Sequence, residues 1–367
     1  MEILHVVPTF GLGGMERVIG ALIKNTSKSY SHTILSLDGN IQASIWIQNG
    51  TAKYTAFNKP PTRRTFFLAL YRSMRKISPE ILMTYNWGAT DAIWLGRLMK
   101  IRKIVHSEHG FNADEAGTTD IKRDILRSLL YTMASRVIVV SHELKKLMKE
   151  RYRLKAGKIV FIPNGIDTTY YSPNVQERQR IRKTLGFNEA HFVIGFSGRL
   201  DPVKNLKFLF DIFANWARTY NHARLLIVGD GPEKPYLEHL SQQEPFCGRV
   251  VFTGQQQDTL PYLRAIDVFL LTSLREQMPM TVLEAMSVGV PVVATKVGEM
   301  PYILDDGVNG FIYSCETAPQ AFAPSFSVLL SPTRKRDMGD AARRKIVSLF
   351  QEHFMVKQYQ DLLLSLS

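Results

Sequence analysis

The sequence predicts an α/β fold built as two parallel, doubly wound sheets. Short β-branched or apolar runs alternate with helical stretches, and a polar connector breaks that alternation near position 170. A second set of runs follows, several of which end in glycine or a small polar residue.

The first set comprises ILHVV at 3–7, HTILSL at 32–37, RKIVHSE at 102–108, RVIVVS at 136–141 and KIVFIPN at 158–164. Each has the length of a strand, and helical stretches between them supply the crossovers that parallel strands need. The connector DTTYYSPNVQERQRIRKTLGF, with Pro173, places a domain boundary between residues 170 and 171. Beyond it come FVIGFSG at 192–198, ARLLIVGDG at 223–231, RVVFTG at 249–254, VFLLTS at 268–273, PVVAT at 291–295 and GFIYS at 310–314. Ligands of open α/β sheets sit beyond the carboxyl ends of the strands, so two such sheets facing each other would hold one in the cleft between them.

A length of 367 residues suits two domains. An apolar share of 45% and a charged share of 22% exclude a disordered or collagen-like chain. The net charge of +13 is one-sided: residues 1–170 hold 25 basic and 13 acidic residues, a balance of +12, and the remaining 21 and 20 leave +1. An anionic partner is therefore expected for the first domain alone. The two cysteines, Cys247 and Cys315, lack a disulfide framework or metal-ligand spacing, which fits a reducing compartment such as the cytosol. The opening MEILHVVPTF carries Glu2 in place of a basic leader, and no window reaches about 18 uninterrupted apolar residues, so membrane contact is expected to be peripheral.

Four segments could carry chemistry. Gly11-Leu12-Gly13-Gly14 follows the first strand and opens a helical pattern, where backbone amides can approach a phosphate; a plain glycine turn fits equally well. Gly198-Arg199-Leu200-Asp201-Pro202-Val203-Lys204-Asn205 sets two cations between a strand end and a helix, a diphosphate site or a solvated turn. Gly229-Asp230-Gly231-Pro232 repeats the strand-to-glycine theme. Glu276 and Glu284 lie in LREQMPMTVLEAMSVGVPVVAT, the first in a loop and the second inside the helix that Pro279 introduces. They could accept hydrogen bonds from sugar hydroxyls and a ribose diol, or be two surface glutamates.

In combination, these pieces resemble the retaining glycosyltransferases of family 4, with the GT-B architecture of two facing Rossmann-like domains. The matching residues are Gly13-Gly14-Met15-Glu16, His109-Gly110, residues 160–167, Gly198-Arg199-Leu200 with Lys204-Asn205, Gly229-Asp230-Gly231-Pro232, and Glu276 through Glu284. The resemblance implies that Arg199, Lys204, Glu276 and His109 form the catalytic set. It implies that Gly13, Gly14, Gly198, Gly231, Gln277, Met278, Pro279, Met280 and Glu284 bind the donor. Arg199 and Lys204 would take the diphosphate, Glu284 the ribose and Glu276 the transferred sugar. Glu16, Asn86 and His109 would lie on the acceptor side. It also implies that residues 346–367, containing LFQEHFMVKQYQDLLLSL, pack back on the N-terminal acceptor-binding domain (1–170), leaving 171–345 as the donor-binding domain. Gln277 stands where the family usually has glycine, and Gly298-Glu299-Met300-Pro301-Tyr302 departs from its usual second motif.

The resulting expectation is transfer of a sugar from a nucleotide-diphosphate donor, a UDP-sugar first and GDP-mannose second, to a hydroxyl of a glycan or lipid-diphosphate-linked acceptor in bacterial cell-surface or exopolysaccharide assembly. No cofactor and no metal are expected, in keeping with the lack of an Asp-x-Asp pair. TRRTFFLALYRSMRK at 62–76 groups Phe66, Phe67, Leu70, Tyr71 and Met74 apart from Arg72, Arg75 and Lys76, a basic side suited to an anionic membrane on the cytoplasmic face. An epimerase on the same architecture would bind the donor without an acceptor. A basic nucleic-acid-binding protein is the alternative of another class, but no recognisable motif accompanies the charge, and no nucleic-acid partner is expected.

Overall fold

The computed structural model describes residues 1–26, 28–47, 50–110 and 121–366. The chain divides into two compact units, Met1–Gly165 with Glu352–Ser367, and Ile166–Gln351.

In the first unit the chain runs β1 (Glu2–Val7), α1 (Gly14–Thr26), β2 (Ser31–Ser36), β3 (Ala52–Ala56), α2 (Arg63–Ile77), β4 (Ile81–Tyr85), α3 (Asp91–Leu98), β5 (Lys103–Glu108), α4 (Ile121–Met133), β6 (Arg136–Val139), α5 (His142–Glu150) and β7 (Ile159–Phe161). Among the described residues the strands form one parallel sheet in the order β3-β2-β1-β4-β5-β6-β7. Strands β1, β4 and β5 are buried almost throughout, as continuous apolar runs covered on both faces must be. Helix caps follow local chemistry. The Ser141 hydroxyl accepts from Leu144 N at 3.0 Å to start α5, and left-handed Ser78 (φ 51°) ends α2. On α2, Leu70 and Met74 are buried while Arg72, Arg75 and Lys76 are exposed.

The second unit runs α6 (Val175–Thr184), β8 (Phe192–Ser197), α7 (Leu206–Thr219), β9 (Ala223–Val228), α8 (Lys234–Ser241), β10 (Val250–Phe252), α9 (Leu260–Ala265), β11 (Val268–Leu271), α10 (Met280–Ser287), β12 (Val292–Thr295), α11 (Met300–Ile303), β13 (Gly310–Tyr313), α12 (Ala323–Leu329) and α13 (Pro332–Leu349). Its parallel sheet has the order β10-β9-β8-β11-β12-β13. Helix α7 buries Leu209, Phe210, Ile212, Phe213 and Trp216, the spacing expected of one apolar stripe. A buried ion cluster ties three elements together: Asp267, at the start of β11, bonds Arg178 and Arg182 of α6 and Lys335 of α13. It also accepts from Val193 N at 2.8 Å. Burial alone would raise the Asp267 carboxyl, but the three cations hold it below its ordinary value.

The last helix, α14 (Glu352–Ser365), belongs to the first unit. Gly165 N donates to Met355 Sδ, and Asn25 of α1 donates to Glu352 at 3.0 Å. Both boundaries differ from those expected. The units divide between Gly165 and Ile166, because Ile166 N bonds Phe350 O, and Tyr171 O accepts from Ser287 Oγ and Arg343 within the second unit. Residues 346–351 stay with that unit too, as the end of α13 and a bridge between Ile166 and Gln351. Strands β3 and β4 are additions to the runs read from sequence. No helix among the described residues is long and apolar enough to cross a membrane.

Candidate active site

Each sheet reverses its winding direction once, between β1 and β4 in the first unit and between β8 and β11 in the second. Such switch points leave a crevice at the carboxyl ends of the strands. Many of the sequence-derived residues lie in the loops after β1, β4, β8 and β11, while His109 follows β5, Gly231 follows β9, Glu16 lies on α1, and Met280 and Glu284 lie on α10.

In the second unit the loop after β8 carries Gly198, Arg199 and Lys204, and the loop after β11 carries Glu276 through Pro279. They meet through Leu274 N, which donates to Val203 O at 2.8 Å, and through Thr272 Oγ1, which donates to Lys204 O at 3.0 Å. Across this junction Lys204 Nζ lies 2.7 Å from Glu276 Oε1. Ser273 Oγ donates to the same oxygen at 2.7 Å, so Oε1 is saturated. The other carboxylate oxygen, Oε2, takes no hydrogen bond from any described residue. Both side chains are largely buried, 20% exposed for Lys204 and 10% for Glu276. Lys204 is therefore paired with a carboxylate and does not stand as a free cation.

Arg199 is arranged differently. Its side chain is 74% exposed, and its Nε lies 3.7 Å from Asp201 Oδ2, a surface contact of little energetic weight. Its guanidinium is thus able to reorient toward an anion. Gly231, at the end of β9, packs on the same loop: a Cβ there would lie 2.4 Å from Leu200 O, with φ at +159°. Any side chain at this position would push the Arg199 loop away. Glu284 sits inside α10, 2% exposed, and accepts from Thr259 Oγ1 at 3.2 Å. Met278 and Met280 are buried at the start of that helix, and Pro279 precedes its first turn. Gln277 O accepts from Glu299 N at 2.8 Å, while a Cβ on Gly298 would fall 2.4 Å from Glu276 O. This packing holds the Glu276 turn although Gln277 replaces the family glycine.

In the first unit, Gly13 accepts the first backbone bond of α1 from Arg17 N, and Gly14 opens the helix. Glu16, in the first turn and 5% exposed, folds back over Gly13: a Cβ on Gly13 would lie 2.4 Å from Glu16 Oε2. Burial raises the Glu16 carboxyl to about 7, with the nearby Asp38 adding to the rise against a backbone hydrogen bond. Asp38, beyond β2, goes the other way; bonds from Asn40, Thr9 and Ser36 outweigh its desolvation and keep it below the ordinary range. Two carboxyls with opposed shifts thus flank the start of α1.

Asn86 and His109 are joined directly. Asn86, with a positive φ of 53° after β4, uses Oδ1 to accept from His109 N at 2.8 Å, and its own N donates to Ser107 O at 2.9 Å. His109 Nε2 lies 3.0 Å from Ser107 Oγ, and burial holds the imidazole down at about 4 against the pull of Glu108. Strand alternation sends His106 and Glu108 to the opposite face. There His106 meets Thr84 Oγ1 at 2.9 Å, and Tyr131 donates to Glu108 at 2.8 Å.

Beneath His109 runs a buried chain. Thr26 Oγ1 donates to Leu22 O, so it must accept from His32 Nε2 at 3.1 Å. His32 Nδ1 then accepts from His5 Nε2 at 3.0 Å, and His5 Nδ1 accepts from the Tyr85 hydroxyl at 2.8 Å. The Tyr85 ring packs 6.2 Å from that of His109. Burial lowers both histidines, His32 to about 4, which keeps them neutral as this polarity requires. Ser273, Asp38, Ser107 and Tyr85 are contributors that motif reading passes over. Only Ser273, three residues before Glu276, carries a local signal.

The family profile described as Glycosyl transferases group 1 matches residues 177–345, and the profile described as Glycosyltransferase Family 4 matches residues 12–170. The chain is 27% identical over 319 residues to N-acetyl-alpha-D-glucosaminyl L-malate synthase of Bacillus anthracis, covering 84% of this chain and 81% of that protein. It is 27% identical over 306 residues to the UDP-Gal:alpha-D-GlcNAc-diphosphoundecaprenol alpha-1,3-galactosyltransferase of Escherichia coli, covering 80% and 78%. Among solved structures, Anabaena HepE in complex with UDP-glucose superposes with a TM-score of 0.85 over 100% of both chains at 22% identity, a likeness of fold.

Proposed function

The chain belongs to the glycosyltransferases of family 4, the glycosyl transferases group 1 with the GT-B fold, and on that footing we propose that it transfers a sugar from a UDP-sugar, with GDP-mannose the second choice of donor. The acceptor is a hydroxyl of a glycan or of a lipid-diphosphate-linked sugar, the configuration is retained, and no metal is required. Bacterial cell-surface or exopolysaccharide assembly is the setting this reading favours. The UDP donor is supported by the names of the Escherichia coli galactosyltransferase and of the UDP-glucose complex, and the lipid-diphosphate acceptor by the former.

The carrying observation is the Lys204–Glu276 pair at the switch point of the second unit. Glu276 Oε1 is occupied by Lys204 and Ser273, which leaves Oε2 as the acceptor for a sugar hydroxyl. Lys204 keeps two further N–H donors for a phosphate oxygen. Arg199 adds a second, mobile cation, and Glu284 accepts from the ribose. In the reaction the bond from the anomeric carbon to the leaving phosphate oxygen breaks, and the acceptor oxygen bonds to that carbon. The acceptor's proton passes to the leaving diphosphate on the same face. Arg199 and Lys204 act where negative charge grows, which is where preorganised donors lower a barrier most. Glu16, Asn86 and His109 serve the acceptor side.

Thermal unfolding with UDP, GDP, ADP and their sugars, without metal, tests the reading, because a ligand that binds only the native state raises Tm with its concentration. A shift with UDP compounds that is lost in Arg199→Ala and Glu284→Ala supports it. Equal shifts in both variants refute the site assignment, and an epimerised sugar formed without acceptor refutes transfer.

A further inference from the structure

Ser107, which bonds His109, has a second partner from a distant part of the chain. Tyr359, on α14, is 1% exposed, and its hydroxyl lies 3.4 Å from Ser107 Oγ. Ser107 is fully buried, 3.0 Å from His109 Nε2. Burial pushes the Tyr359 phenol up to about 12 and holds His109 down at about 4. At neutral pH the phenol therefore keeps its proton, and the imidazole carries one proton on one of its two nitrogens.

Tyr359 has no other acceptor among the described residues, so its O–H points to Ser107 Oγ. Ser107 has no third side-chain partner there either, so its own hydrogen points to His109 Nε2. Nε2 is then an acceptor, and the imidazole proton sits on Nδ1. The reverse arrangement, Nε2–H donating to Ser107, would strand a buried hydroxyl hydrogen without an acceptor.

We infer that Tyr359 is a positioning residue that acts through Ser107 to fix His109 as the Nδ1–H tautomer, giving the acceptor-side group a hydrogen-bond donor for a hydroxyl or phosphate oxygen of the bound substrates. The last helix of the chain is thereby coupled to the chemistry. The catalytic part of this inference rests on the proposed role of His109; the tautomer does not.

The experiment is long-range 1H–15N NMR of full-length protein carrying 15N-labelled histidine, with the His109 signals assigned through His109→Gln. Wild type is expected to give the Nδ1–H pattern, and Tyr359→Phe and Ser107→Ala to move it toward a mixture with Nε2–H. An Nε2–H pattern in the wild type, or no change in either folded variant, overturns the inference. Ser107→Ala preserves the test if Tyr359→Phe fails to fold. In steady-state transfer with a UDP-sugar, Tyr359→Phe is expected to lower kcat about 3- to 10-fold with little change in donor KM. A moved tautomer with unchanged kcat refutes the role of His109 in transfer and leaves the tautomer assignment standing.

Discussion

Replacing Glu16 with Gln should stabilise the first unit, and increasingly so as pH rises. Glu16 is 5% exposed and its carboxyl is raised from 4.5 to about 7, first by desolvation and then by Asp38. A folded-state value above the unfolded one means that the folded protein binds the extra proton between those limits. The contribution is complete below pH 4.5 and is lost as pH rises through 7. The difference of about 2.5 pH units, at about 1.36 kcal/mol each, makes the ionised carboxylate cost about 3 kcal/mol at pH 8. Glutamine keeps the shape over Gly13 and never ionises. The assay is urea unfolding at pH 4.5, 6 and 8, followed by fluorescence of Trp46, Trp87 and Trp94, which lie in the first unit. Wild type and variant should coincide within about 0.5 kcal/mol at pH 4.5 and separate by about 3 kcal/mol at pH 8. Parallel profiles would show that Glu16 titrates as an ordinary surface carboxylate, and the account of the α1 start would fail.

Asp267→Asn should cost the second unit about 3 to 5 kcal/mol, because it leaves Arg182 buried beside Arg178 and Lys335 without their carboxylate. A loss below about 1 kcal/mol by Trp216 fluorescence would remove the cluster from the stabilising interactions. The exposed cations Arg72, Arg75 and Lys76 of α2 are expected to hold the protein on anionic liposomes, each worth about 1 kcal/mol near the surface. Changing all three to Glu should abolish co-sedimentation at moderate salt, and unchanged binding would refute membrane contact through this helix.

Much of the fold follows from local pattern, and the missing parts have physical reasons. Runs such as FVIGFSG and ARLLIVGDG announce buried parallel strands because both faces are covered and apolar side chains need not alternate. AKYTA, in β3, is a five-residue edge strand with too little pattern to separate from a loop. ILMTY, in β4, carries the signal of a buried strand between Pro79 and Asn86, and the strand's end at Tyr85 is what fixes the place of Asn86. Site residues divide in the same way. Glycines and cations at strand ends are visible in one dimension because strand, turn and helix are contiguous. The Lys204–Glu276 pair spans 72 positions and depends on the order in which β8 and β11 lie side by side. Tyr359 and Ser107, 252 positions apart, meet through the return of α14 to the first unit. Side-chain state is hidden too: Arg199 and Lys204 look equivalent in sequence, yet one is 74% exposed and the other is locked against a carboxylate.

Transfer from a nucleotide sugar by way of the Lys204–Glu276 pair is what the proposed function requires. The most direct measurement is the product of reaction with UDP-sugars labelled in the sugar, with and without a lipid-diphosphate-linked sugar acceptor and with EDTA present. UDP release is expected to depend on the acceptor, label to move to the acceptor in the donor's own anomeric configuration, and Lys204→Ala to lower kcat by at least about 100-fold. Acceptor-independent conversion of the sugar, inverted product, or a Lys204→Ala variant as active as wild type would contradict that function.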